Sequence, residues 1–109
     1  MKNQRKIIKE CIDQNKLLIK KKLSVQTFSN VSIRLNDKYF AIKPSGVLPD
    51  KIKLEKCPVI KISDGKKISG SYNPSTDTPT HRIIYKKFPE IKSIAHTHSK
   101  YVTAWAQSG

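Results

Sequence analysis

The sequence predicts a layered α/β fold: a largely antiparallel central sheet with flanking helices. Three observations carry that expectation. Apolar residues near the N-terminus recur at helical spacing, the middle of the chain alternates between short polar turns, and a proline-initiated helix precedes the last apolar stretch.

The first element is a helix over 4–22, where Ile7, Ile8, Cys11, Ile12, Leu18 and Ile19 form one face and lysines fill the other. A polar stretch, 24–30, follows. Alternation then sets Val31, Ile33 and Leu35 on one side of a strand and Ser32 and Arg34 on the other. Asn36-Asp37 signals a turn, and Tyr39 to Ile42 returns as the second strand of a hairpin. Lys43-Pro44-Ser45-Gly46 breaks that strand, and a loop runs on through Pro49 and Asp50. Val59, Ile60 and Ile62 mark a further strand, Asp64-Gly65 a hairpin turn, and Lys66 to Tyr72 its return. Thr78 followed by Pro79 reads as an N-cap with proline at the first helical position. This helix extends to Phe88, where Pro89 stops it. Ile91 to His98 is expected as a strand. Ser99 to Gln107 is expected as a helix, with Val102, Trp105 and Ala106 on one face and Gly109 at its C-terminal cap.

A chain of 109 residues, 37% hydrophobic and 28% charged, suits one globular domain over 1–109 rather than disorder. It contains no apolar run that would span a bilayer and no signal-peptide core, and Glu10 and Asp13 arrive too early for a transit peptide. Cys11 and Cys57 match no metal spacing and read as reduced, packed thiols of a cytoplasmic protein. The formal charge is +14, yet of 22 basic residues only Arg5, Arg34 and Arg82 are arginine. Nucleic-acid readers lean on arginine forks and interleaved aromatics. The dispersed lysines therefore argue for a solvated surface, one able to steer an anionic substrate, over a nucleic-acid site.

Three constellations carry chemistry. In His96-Thr97-His98, residues i and i+2 of a strand project from one face, so two imidazoles can chelate one divalent ion such as zinc; the plainer reading is two ordinary histidines at a strand end. Asp77, just before a helix, is a candidate metal ligand or acid/base group, or simply a helix cap. His81 follows on that helix and reads as structural or surface, carried away from Asp77. The third set comprises small polar loops: Ser29-Asn30, Ser45-Gly46 and Ser75-Thr76. Their hydroxyls, amide and backbone N–H groups can converge on a phosphate, with Lys43 adding charge and Gly46 allowing close backbone approach. Each loop alone is also a plausible turn.

In combination these segments resemble the class II aldolase/adducin family. Thr27-Phe28-Ser29-Asn30-Val31-Ser32, Ile42-Lys43-Pro44-Ser45-Gly46, Pro74-Ser75-Thr76-Asp77-Thr78-Pro79-Thr80-His81 and His96-Thr97-His98-Ser99 stand in that family's order, and Trp105-Ala106-Gln107 fits as well. The resemblance covers the whole chain but only about the first half of a family protomer. It implies that His96 and His98 match the first two zinc-ligand histidines and that Asp77 matches the acidic residue beside the metal. It also implies that Ser29, Asn30, Lys43, Ser45, Gly46, Ser75 and Thr76 belong to the substrate and phosphate loops. Aspartate rather than glutamate at position 77 favours the family's epimerase branch, which converts L-ribulose 5-phosphate to D-xylulose 5-phosphate by retro-aldol chemistry. Ser29 departs from a glycine, and Thr76 from a serine.

The resemblance further implies a third zinc histidine and additional acid/base residues in a second half, some from a neighbouring subunit. The expectation is therefore a truncated chain, inactive alone, that acts as a homo-oligomer or with a missing C-terminal half on a phosphorylated pentulose. The faces of Val31, Ile33, Ile60, Ile62 and Ile94 are expected to lack part of their cover. Other readings are a fuculose-phosphate-type aldolase, a basic nucleic-acid-binding module, or a non-catalytic interaction domain.

Overall fold

A computed structural model describes residues 4–20, 30–96 and 102–105. The first helix, α1, spans Gln4–Lys20. Strands β1 (Asn30–Arg34) and β2 (Tyr39–Ile42) form the expected hairpin. Its turn is fixed by Asn36, whose Oδ1 accepts the N–H groups of Lys38 at 2.8 Å and Tyr39 at 3.1 Å. Two single-turn 3-10 helices, Pro49–Lys51 and Leu54–Lys56, lead into β3 (Val59–Lys61). The return strand β4 is short, Lys67–Ser69, and a register irregularity at Val59/Ile60 interrupts its pairing. Helix α2 covers Thr78–Lys87. Strand β5 is Ser93–His96 and β6 is Val102–Trp105.

The sheet has six strands in the order β4-β3-β2-β1-β5-β6, with every pair antiparallel. Strand β1 thus lies near the middle, and both of its faces are buried. One face packs under α1: Val31, Ile33, Ala41 and Ala95 meet Cys11, Ile12 and Leu18. Within this apolar layer Asn15 is buried yet satisfied. Its Nδ2 donates to the carbonyls of Cys11 and Val31, and its Oδ1 accepts the Val31 N–H at 2.7 Å. The other face packs under α2, with Phe40, Ile42, Ile60, Ile62, Tyr85 and Ile94 in contact. Cys11 and Cys57 are both free and buried, and the neighbouring Cys57 thiol together with burial pushes the Cys11 thiol up.

Several expectations need correction. The segment expected as a helix over 99–107 contains a strand, β6, which pairs with β5 from Ser93↔Trp105 to His96↔Val102. Val102, Thr103 and Trp105 are strand formers, and the unpaired edge of β5 gives their backbone groups partners that a lone two-turn helix would lack. The rest of that segment lies outside the described residues, as do Lys21 and Lys22 at the end of the expected first helix. The cap of α2 is Asp77 rather than Thr78. Finally, Val31, Ile33, Ile60, Ile62 and Ile94 are all buried, so within this chain the two helices already cover them.

Candidate active site

The face of β1 turned to α2 is polar. Asn30, Ser32 and Arg34 are alternate residues of the strand and share that side. Asn30 stands directly opposite His96 on β5. Asp77 comes over both from the start of α2. Asn30 Nδ2 donates to Asp77 Oδ2 at 2.8 Å, and the same oxygen meets His96 Nδ1. Asp77 holds the N-cap position, yet its side chain makes no capping hydrogen bond. An aspartate there ordinarily accepts from the first turn of its own helix. Here the carboxylate is turned to the sheet instead. Partial burial by itself would raise its pKa, but the hydrogen bonds from Asn30 and His96 outweigh that and hold it below the usual carboxylate range.

Two loops complete the rim. Pro44 and Pro74 face each other in an isolated antiparallel bridge. Prolines have no N–H to give, so the residues after them supply the bonds: Ser45 N–H donates to the Asn73 carbonyl at 2.8 Å and Ser75 N–H to the Lys43 carbonyl at 3.0 Å. Gly46 adopts φ 71°, and nothing lies within 4 Å of where a Cβ would stand. Glycine is therefore favoured there by backbone conformation, not by crowding. Ser75 Oγ accepts the Asp77 N–H at 3.2 Å, and Thr78 Oγ1 donates to the Ser75 carbonyl at 2.6 Å, which closes the turn into α2. Lys43 is buried to 2% exposure, its Nζ donates to the Pro44 carbonyl at 3.1 Å, and burial lowers its pKa.

These pieces enclose a cavity of about 410 Å³ lined by Asn30, Lys43, Ser45, Gly46, Ser75, Thr76, Asp77 and His96. The structure brings together every candidate residue that it describes. Ser29 and His98 lie outside the described residues. Chemically the cavity offers a buried ammonium, three hydroxyls, backbone N–H groups, an ionised carboxylate and an imidazole, a set suited to a phosphorylated polar molecule.

The donors also suit a divalent cation. Imidazole and carboxylate are zinc-type ligands, and Asn30 Oδ1 is a buried acceptor without a hydrogen-bond partner among the described residues. Among those residues no group of three His, Cys, Asp or Glu side chains is placed to hold a metal ion; Asp77 and His96 are two such donors in contact.

The residues behind the cavity were the ones missed. Of the two readings of His81, structural or surface, the structural one holds, since it is 1% exposed; but it lies one turn beyond Asp77 on the same side of the helix rather than carried away from it. Its Nδ1 is 2.6 Å from Ser32 Oγ, which is also 2.8 Å from Tyr85 Oη. Burial lowers the imidazole pKa to about 4, so His81 is neutral at pH 7. A signal was available: Asp77, His81 and Tyr85 recur at four-residue steps, and Ser32 and Arg34 had already been set on one side of their strand.

Comparison with known proteins matches residues 9–109 to the sequence model described as "Class II Aldolase and Adducin N-terminal domain". The chain belongs to the class II aldolase and adducin family. It is 42% identical over 103 residues to the "Probable L-ribulose-5-phosphate 4-epimerase UlaF" of Mycoplasma pneumoniae, covering 93% of this chain and 43% of that protein. Against the "L-ribulose-5-phosphate 4-epimerase UlaF" of Salmonella paratyphi C, identity is 38% over 105 residues, covering 95% and 46%. A solved structure described as "L-fuculose 1-phosphate aldolase" superposes with a TM-score of 0.78 at 30% identity, covering 85% of this chain and 44% of that one. The chain thus spans less than half the length of the curated relatives it matches. The layered α/β architecture with its antiparallel sheet is that of the family. Among the described residues, no helix is long and apolar enough to cross a membrane.

Proposed function

We propose that this chain is the N-terminal part of a class II aldolase-type domain that epimerises L-ribulose 5-phosphate to D-xylulose 5-phosphate. One observation carries the reading: residues from four separated segments converge on one cavity, where Asp77 is turned onto Asn30 and His96 instead of capping its helix. The names of the 42% and 38% identical relatives support the same activity.

In this reading Lys43, the hydroxyls of Ser45, Ser75 and Thr76 and the N–H groups of Gly46 and Thr76 hold the substrate phosphate. His96 and Asp77, with His98, would hold a zinc ion, which when bound supplies Lewis-acid polarisation of the ketose oxygens. Asn30 and His96 keep the Asp77 carboxylate ionised, so Asp77 accepts the proton of the C4 hydroxyl through a carboxylate oxygen. Loss of that proton lets the C3–C4 bond break. The glycolaldehyde phosphate fragment stays anchored through its phosphate, turns, and re-adds through its other face, and the proton is returned. The protein works in the cytoplasm as part of a homo-oligomer or with the remainder of the family's length.

An aldolase acting on fuculose 1-phosphate is the second reading, favoured by the 0.78 TM-score to a structure of that description. Aspartate at position 77 weighs toward epimerisation, because the resemblance associates glutamate with the aldolases.

The test is calorimetric zinc titration of the 109-residue chain, followed by addition of L-ribulose 5-phosphate. Wild type is expected to bind zinc, with affinity at least about tenfold weaker in His96→Ala and in Asp77→Asn. Sugar phosphate is expected to shift the amide signals of Ser45, Gly46 and Thr76. Equal zinc binding by all three proteins sinks the metal assignment, and unshifted loop signals sink the phosphate assignment. An epimerase assay on the same chain is expected to show no turnover, since the described residues bring together one carboxylate and one pocket imidazole without a second acid/base pair.

A further inference from the structure

The residues facing the candidate cavity are braced by others that do not line it. Asn30, Ser32 and Arg34 are spaced by two on β1; Asp77, His81 and Tyr85 are spaced by four from the cap of α2 onward. Two strand residues advance about 6.6 Å and four helical residues about 6 Å, so the two rows stay in step over three rungs. The first rung is Asn30 to Asp77, at 2.8 Å. The second is Ser32 Oγ to His81 Nδ1, at 2.6 Å, with Tyr85 Oη 2.8 Å from the same hydroxyl. In the third, Arg34 Nη2 donates to the Tyr85 carbonyl at 2.9 Å and its guanidinium lies 4.8 Å from the centre of the Tyr85 ring. Only the first rung reaches the cavity.

We propose that Ser32 and His81 are positioning residues for the candidate site. They lock the first turns of α2 to β1 in one register, so that the Asp77 carboxylate rests on Asn30 and His96 and is kept from folding back over its own helix.

Two features favour this over packing alone. Beside the ladder, the same sheet face is filled by Phe40, Ile42, Ile60 and Ile94, so apolar side chains already hold helix to sheet. Apolar contacts tolerate sliding, whereas a hydrogen bond selects one position. His81 Nε2 is also buried with no hydrogen-bond partner among the described residues. An apolar ring would fill the space without stranding a nitrogen. What the imidazole adds is the directional bond at Nδ1.

The inference rests on the reading of this cavity as a site, and the experiment separates the two. Wild type, Ser32→Ala, His81→Phe and His81→Asn are compared as the full 109-residue chain. The readouts are NMR exchange of the Asn30 side-chain amide protons, zinc affinity and thermal melting. Cooperative melting is expected in all four. Asn30 amide exchange is expected to speed up about tenfold or more in Ser32→Ala and His81→Phe, with zinc affinity weaker by a similar factor. His81→Asn, whose amide reaches the place of Nδ1, is expected to restore both. Wild-type exchange in Ser32→Ala and His81→Phe overturns the inference. So does a loss that His81→Asn fails to restore, since ring shape would then be what matters. If His81→Phe does not fold, Ser32→Ala decides by the same criterion. If wild type binds no zinc, the metal assignment falls while the amide readout still judges the ladder.

Discussion

Ile33 and Arg34 are neighbours on β1, each 7% exposed, and they point to opposite sides of the sheet. Ile33 sits in an apolar layer beneath α1. Arg34 runs beneath α2, where Nε donates to the Ile91 carbonyl at 2.7 Å and Nη2 to those of Tyr85 and Phe88 at 2.9 and 3.2 Å. It thereby satisfies carbonyls at the C-terminal end of that helix, where a cation is also favoured by the helix dipole. Equal burial thus serves two ends. One face supplies cohesion through area; the other fixes where α2 lies, and with it where Asp77 is presented.

The largest effect expected from this contrast is at Arg34. Arg34→Ala takes the side-chain donor from the Tyr85 and Ile91 carbonyls, while that of Phe88 keeps the Ile91 N–H, and should cost on the order of 3 kcal/mol or more in urea unfolding. Arg34→Lys should recover little of it, because an ammonium cannot reproduce the fork. If Arg34→Lys is as stable as wild type, the polar face is not geometrically demanding and the contrast fails. On the other face Ile33→Ala should cost about 3 kcal/mol and Ile33→Val only about 1 kcal/mol, graded by volume alone.

Of the two faces, acid should act on the polar one. His81 has a folded-state pKa of about 4 against an unfolded value of about 6.5. Between those values the unfolded chain binds more protons, so stability falls as pH drops from about 6.5 to about 4, by about 3 kcal/mol, and is unaffected by this group above that window. Asp77, with its lowered pKa, adds a loss of the same sign as pH falls further, through its folded value. Denaturant midpoints measured across this range should slope in wild type and flatten between pH 6.5 and 4 in His81→Phe. The smallest effect is expected for Asp77→Asn. The amide oxygen keeps an acceptor for Asn30 and no capping bond is given up; what is lost is the carboxylate charge beside the partly exposed His96, so stability at pH 7 should change by about 1 kcal/mol or less while zinc affinity drops. A large loss of stability would make Asp77 chiefly structural.

The fold was legible where local pattern and tertiary outcome agree. The apolar stripe of α1, the Asn36 turn and Pro79 each point to the element that forms. Strand β6 was not legible, because Val102, Trp105 and Ala106 suit a helix as well as a strand, and the deciding factor is the open edge of β5, a partner distant in the pattern. The cavity residues were found by segment order and residue type. The link between Ser32 and His81 escaped because a serine in a strand and a histidine in a helix, taken one at a time, name no partner. Their meaning lies in a match between two periodicities, which no single window contains. Asn15 escaped for a similar reason: its partner is the Val31 backbone, across a 16-residue separation.

The bridge between Pro44 and Pro74 has a consequence for altering this protein by design. It joins two loops 30 residues apart in sequence into one piece of backbone, with Ser45 bonded to Asn73 and Ser75 to Lys43. The loops are therefore a single heritable unit in practice. A library that randomises or lengthens one of them alone would mostly sample broken stitches and read as uniformly dead, whatever its side chains offer. Transplanting both together, prolines included, moves the rim as a block and leaves the choice of ligand to the side chains it carries.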